Sequence, residues 1–203
     1  MGRTSDAREK LLHAGQELLA RRGYAALGVA EIAAAARVPK GSFYYFFESK
    51  QALALAVIDE HWVDQEAQWR SVLGSDRPPL ERLRALFDVT AEVQRQSRND
   101  AGVVTGCLFG NLALELSTRD EAVRSRLEEI FDAQIDLVAE VIAVAQREGT
   151  VHVADVRDAA RSIVAQLEGL VLFAKLRNDP DQLQRMWSNS LSLLGADHAT
   201  VTA

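Results

Sequence analysis

Between Arg37 and Lys50 the chain reads RVPKGSFYYFFESK, directly behind the four alanines that run from Ala33 to Ala36. Few folds admit that stretch. Pro39 lacks an N–H and cannot continue a helix arriving from the alanines, yet it suits the first turn of a new one. The alanines allow that new helix to approach closely. It carries a run of aromatic rings from Phe43 to Phe47, flanked by Lys40 and Lys50. Rings and hydroxyls between cations suit a DNA groove better than a hydrophobic core. One amphipathic helix and one short Ala-rich helix precede the stretch, so the order predicts a helix-turn-helix with residues 40–47 as the recognition helix.

The net charge of −6 argues against nucleic acid until its distribution is considered. Residues 1–50 hold eight Lys/Arg against five acids, and the remaining 153 hold 15 against 24. A basic head on an acidic body is expected when only the head meets phosphate. A hydrophobic content of 48% with only 4 Pro and few β-branched runs predicts an all-α protein large enough to bury a substantial core. The single cysteine, Cys107, rules out an intrachain disulfide, and no apolar leader or spanning segment is evident. The expectation is a cytoplasmic protein without a membrane role.

Helical periodicity and punctuation predict about nine helices. The first runs from about Ser5 to Arg22 with an apolar stripe of Leu11, Leu12, Gly15, Leu18 and Leu19, and Gly23 ends it. The second covers about Val29 to Ala36 and the third about Lys40 to Phe47. Ser49 caps a fourth, Lys50 to Leu73. A fifth is expected over about Leu80 to Ser97 and a sixth, apolar and containing Cys107, over about Thr105 to Leu116. Thr118-Arg-Asp-Glu121 reads as a capping box for a long seventh helix ending before Gly149. Asp155 caps an eighth to about Arg177, and Asp179-Pro180 opens a last one that stops at Gly195. The domains expected are a helix-turn-helix unit over 1–48 and a larger helical effector-binding and dimerisation unit over 49–203.

This arrangement resembles the TetR family of bacterial transcriptional regulators. The matching residues are Gly23-Tyr24, Ile32-Ala33, Gly41-Ser-Phe-Tyr-Tyr-Phe46 and Ser49-Lys50, about a quarter of the chain. Gly106-Cys-Leu, Gly110-Asn-Leu and Glu168-Gly-Leu through Asn178-Asp-Pro180 are similar to one branch, the acrylate-type and N-ethylmaleimide-type electrophile-responsive repressors. The resemblance implies a homodimer that binds an operator when empty and releases it when a small molecule enters the C-terminal domain. The chain departs from the pattern at three places. Arg37 stands where glycine is usual, at a turn that wants positive φ. Gly28 replaces a Ser or Thr cap, and Ala30 stands where some members carry Arg.

Lys40, Gly41, Ser42, Tyr44, Tyr45 and Lys50 form the expected DNA set. Lys40 and Ser42 are placed to reach base edges, the phenols to reach phosphate or a thymine methyl, and Lys50 to hold phosphate. Phe43 and Phe47 are expected as core. Arg3, Arg8 and Lys10 are either backbone contacts or a solvated helix start. Trp62, Trp69, Phe87, Phe109, Asn111, Glu115, Gln166 and Phe173 are candidate effector lining, with ordinary core packing as the alternative. Cys107 is either an inert thiol or a sensor, and Lys175, alone in the body, would favour its thiolate if the two meet. Ile163, Leu167, Leu170, Val171, Met186, Leu191 and Leu194 on the last two helices are expected to make a four-helix dimer seam.

Nothing calls for a cofactor or a metal. The histidines at 13, 61, 152 and 198 form no His-Glu-x-x-His or Glu-x-x-His pattern, and no phosphate loop or nucleophile elbow is present. No catalytic residue is assigned. The reading is an effector-gated repressor of a palindromic operator. A helix-turn-helix regulator without an effector stands second, and a helical enzyme third.

Overall fold

The computed structural model describes residues 3–196, with side chains from Asp6 onward. Arg3 and His198 therefore lie outside the described side chains. Among the described residues the chain is all helical. Its α-helices are α1 (Arg3–Arg22), α2 (Val29–Ala35), α3 (Lys40–Phe46), α4 (Lys50–Leu73), α5 (Pro79–Ala101), α6 (Leu108–Leu116), α7 (Glu121–Arg147), α8 (Val156–Arg177) and α9 (Met186–Leu193). A 3-10 helix, Pro180–Arg185, precedes α9.

Contacts group the chain into two compact units. Residues up to Asp64 pack with Cys107–Glu128, and Gln65–Gly106 pack with residues from Glu129 on. In the first unit α1, α2 and α3 close around Leu11, Ile32 and Phe43, all fully buried. Gly15 lets α4 pass close by, since a Cβ there would sit 3.1 Å from Leu53 Cδ2. Ser49 caps α4 as expected, its Oγ accepting the Ala52 N–H at 3.0 Å.

The second unit is built from α5, most of α7, α8 and α9. Phe87 packs against Trp187 at 6.2 Å between ring centroids, with the Arg84 guanidinium 6.0 Å from that ring. Asn178 ends α8 at φ 50 and turns its side chain to other work. Its Oδ1 accepts the Val104 N–H at 2.8 Å and its Nδ2 donates to Gly102 O at 3.1 Å. Gln94, 4% exposed, brackets Gly106 by accepting its N–H at 3.1 Å and donating to its carbonyl at 3.5 Å.

Four boundaries differ from the sequence expectation. α5 does not stop at Ser97 but continues to Ala101, where Gly102 at φ 73 supplies the left-handed terminator. α6 starts at Leu108 rather than Thr105, since Gly106 at φ 81 breaks the chain direction. Cys107 is therefore the cap of α6 rather than a residue within it. Asp120, not Thr118, caps α7, accepting the Val123 N–H at 3.1 Å. The last helix is divided into the 3-10 segment and α9, with Asp179 capping the 3-10 segment through the Asp181 N–H at 3.1 Å.

Candidate nucleic-acid interface

α3 separates its aromatic residues by face. Phe43 is 0% exposed and Phe47, just past the helix, 5%, so both belong to the core as expected. Tyr44 and Tyr45 are 55% and 75% exposed. Both rings still make edge contacts, Tyr44 with Phe43 at 5.4 Å and Tyr45 with Phe46 at 4.8 Å between centroids. Lys40 and Gly41 are exposed on the same helix, and Ser42 is half-buried. Nothing lies within 4 Å of a Cβ built at Gly41, so the backbone there is open to close approach. Arg8 lies over the Phe47 ring at 5.7 Å, and Lys10 pairs with Asp6 at 2.7 Å.

The loop joining α1 to α2 fixes how α2 and α3 are presented, and two opposite charges hold it. The Glu115 carboxylate at the end of α6 accepts the Tyr24 N–H at 2.6 Å and the Ala25 N–H at 2.5 Å. The Lys50 ammonium donates to Tyr24 O at 2.9 Å and Leu27 O at 2.8 Å, and it sits 4.0 Å from the centre of the Tyr24 ring. Gly23, at φ 76, leaves room for the carboxylate, since a Cβ there would lie 2.9 Å from Glu115 Oε2. Burial first, then Asp120 and Glu115, push the Tyr24 phenol above its ordinary value. Two of the expected site residues thus have internal partners: Lys50, expected at phosphate, bonds loop carbonyls, and Glu115, expected in the effector lining, bonds loop N–H groups.

Behind the loop, His61 of α4 meets Gln16 of α1, Nδ1 to Nε2 at 3.1 Å, and Phe109 of α6 at 5.2 Å between ring centroids. Burial lowers the imidazole below its ordinary value, and Asp64 pulls it partly back. The unfolded chain thus binds a proton that the folded chain resists, so stability rises with pH through the ordinary imidazole range near ~6.5. The expected outcome is a lower Tm at pH ~5.5 than at ~7.5, with a smaller difference in His61→Gln. Equal pH dependence in the two proteins would assign the effect to other groups.

The remaining expected effector residues fall into both units. In the first, Trp62 and Phe109 are 6% and 0% exposed and pack together at 6.2 Å. Asn111 and Cys107 are half-buried, and the Cys107 Sγ accepts the Gly110 N–H at 3.4 Å. In the second, Trp69 and Phe87 are buried. Gln166 is tied to Ser190 Oγ at 3.0 Å and Met186 O at 3.4 Å, and Lys175 is half-buried. Phe173 is 49% exposed, so it faces outward from α8 rather than lining an interior site.

Two features escaped sequence reasoning. Gln134, 1% exposed, donates to Gln65 Oε1 at 2.8 Å while its own Oε1 has no partner. A cleft of about 260 Å³ is lined by Arg70, Leu73, Arg82, Leu137, Glu140 and Val141, among others. Neither had a signal in spacing or composition, since both depend on which faces of α4, α5 and α7 meet.

A basic, aromatic-faced α3 following α2 across a tight turn defines a helix-turn-helix regulator of transcription. Residues 11–57 match the family model of bacterial regulatory proteins, tetR family, and residues 79–189 match the tetracyclin repressor-like C-terminal domain. The chain is 36% identical over 184 residues to the transcriptional regulator AcuR of Cereibacter sphaeroides, covering 87% of this chain and 80% of that one. It is 32% identical over 191 residues to the repressor DhaR of Mycobacterium sp. strain GP1, covering 91% and 90%. The crystal structure of a regulatory protein TetR from Rhodobacter sphaeroides superposes with a TM-score of 0.82 at 31% identity, covering 91% of this chain and 96% of that one. The chain belongs to the TetR family of transcriptional regulators and is a DNA-binding regulator rather than an enzyme. No helix among the described residues is long and apolar enough to cross a membrane.

Proposed function

We propose that the protein is a cytoplasmic homodimeric repressor that holds a palindromic operator through α3 and leaves it when a small molecule engages the helical body. The carrying observation is the exposed face of α3, with Lys40, Gly41, Tyr44 and Tyr45 outward while Phe43 anchors the helix from behind. Residues 1–48 supply the reading head. Lys40 and Ser42 reach base edges, and the two phenols meet phosphate or a thymine methyl.

Two copies are needed because one head reads only a half-site. The dimer seam uses α8 and α9, but not the residues expected from sequence. Ile163, Leu167, Val171, Met186, Leu191 and Leu194 are all buried within the single chain, and Leu170 is half-buried. Leu172 at 52%, Phe173 at 49%, Leu176 at 74% and Leu193 at 50% exposure are the apolar groups left for a partner copy.

The effector-gated reading is favoured over an effector-free one by the match to the tetracyclin repressor-like C-terminal domain and by the similarity to the repressor DhaR. Trp69 and Phe87 are candidate effector contacts within the second unit. Trp62, Phe109, Asn111 and Cys107, on α4 and α6, are separate candidates within the first unit. Such an effector and the operator oppose each other through a coupling of about 1–3 kcal/mol.

Selection from a randomised duplex pool tests the reading. The expected product is a two-fold symmetric sequence with half-sites about one helical turn apart. Lys40→Ala should bind it about tenfold more weakly, with a salt slope smaller by about two per dimer. Recovery of asymmetric sequences bound by single chains would refute the dimeric operator, and an unchanged slope would remove Lys40 from the interface.

A further inference from the structure

α2 ends in a hydrogen-bond pattern that demands a left-handed residue. The Val38 N–H donates back to Ala33 O at 3.0 Å, and the Arg37 N–H to Ala34 O at 3.0 Å. This pair of bonds closes a helix only when the residue after the C-cap, here Ala36, adopts positive φ. That residue is Arg37, at φ 56. Glycine meets the demand freely, whereas an arginine Cβ crowds its own carbonyl there. Among the described residues Asn178 is the other non-glycine at positive φ. Asparagine tolerates that region better, and its side chain secures two backbone groups.

Among the described residues the Arg37 side chain secures no partner. It is exposed, and no described residue bonds to its guanidinium. Several other cations of the first unit have partners within the chain. Arg22 pairs with Glu31, Lys10 pairs with Asp6, Lys50 holds loop carbonyls and Arg8 covers the Phe47 ring. Lys40, three residues on from Arg37, is likewise exposed and unbonded among the described residues. The turn between α2 and α3 and the first residue of α3 thus present two cations with no bond to a described residue, on the segment that carries Tyr44 and Tyr45. A residue kept in a strained conformation without an internal contact points to an external one.

We infer that Arg37 is a phosphate-contact residue, its guanidinium gripping the DNA backbone at the helix-turn-helix turn while α3 enters the groove. This rests on the DNA-reading function proposed above. The planar fork of arginine suits a phosphate better than a point charge does. The strain is then the cost of holding that fork at the one turn position glycine would otherwise occupy.

The test compares wild type, Arg37→Gly and Arg37→Lys on a duplex that the wild-type protein selects from a randomised pool. Arg37→Gly should raise Tm by about 2–4 °C, because the strain is relieved. It should also bind about tenfold more weakly, with a salt slope smaller by about two per dimer. Arg37→Lys should keep the wild-type slope. Wild-type affinity or wild-type slope in Arg37→Gly overturns the Arg37 assignment and leaves the regulator reading intact. Absence of salt-dependent binding by the wild type itself overturns that reading, and the Arg37 assignment with it.

Discussion

Glu115→Ala should lower stability by about 2–4 kcal/mol and weaken operator binding along with it. The carboxylate accepts two backbone N–H groups, from Tyr24 and Ala25, and no other acceptor in the loop replaces it. Removing it strands both donors and frees the segment that feeds α2. Glu115→Gln keeps an acceptor oxygen but no charge, so it should fall between wild type and alanine. Urea unfolding gives the stability, and DNA titration of the still-folded fraction gives the affinity. An alanine variant within about 0.5 kcal/mol of wild type would show that the loop holds its shape without α6.

Lys50→Met should cost about 2–3 kcal/mol while leaving the salt slope of DNA binding unchanged. Its ammonium satisfies Tyr24 O and Leu27 O and rests on the Tyr24 ring, so its loss leaves two carbonyls and a ring without their partner. Methionine retains the bulk of the side chain and removes only the charge. A phosphate-bound lysine would behave in the opposite way, with little loss of stability and a slope reduced by about two per dimer. The two readouts therefore separate a loop anchor from a DNA contact at the same residue.

Glu115 and Lys50 tie α6 and α4 to the loop that precedes α2. Cys107 caps one end of α6, and Glu115, near the other, holds the α1–α2 loop. A displacement of α6 is expected to reach that loop through Glu115. α2 and α3 follow, because α1, α2 and α3 share one small core around Ile32 and Phe43.

Much of this was legible in the sequence, for identifiable reasons. Pro39, Gly23 and Ser49 are local punctuation whose chemistry acts within a few residues, so α2, α3 and α4 were placed to within a residue. The need for positive φ at Arg37 follows from how a helix ends, and the structure has it at φ 56. Phe43 and Phe47 were separable from Tyr44 and Tyr45 because only the phenols tolerate water. What stayed hidden depends on long-range partners. Glu115 and Tyr24 are 91 residues apart, and nothing in the spacing joins them. Lys50 carries a charge beside the recognition helix, and only the fold reveals that loop carbonyls claim it. The apolar residues of α8 alternate between core and surface at helical spacing, so periodicity identified the helix but not which stripe faces inward. Leu176 and Leu172 are exposed where Leu167 and Val171 are buried.

The most direct test of the account is an equilibrium titration of the purified protein against its selected duplex across a range of salt concentrations, with the stoichiometry measured at saturation. The account predicts two chains per duplex, an affinity that falls steeply as salt rises, and loss of that binding in Tyr44→Ala/Tyr45→Ala. Tight binding that ignores salt, or that survives removal of both phenols, would contradict the assignment of α3 as the surface that reads DNA.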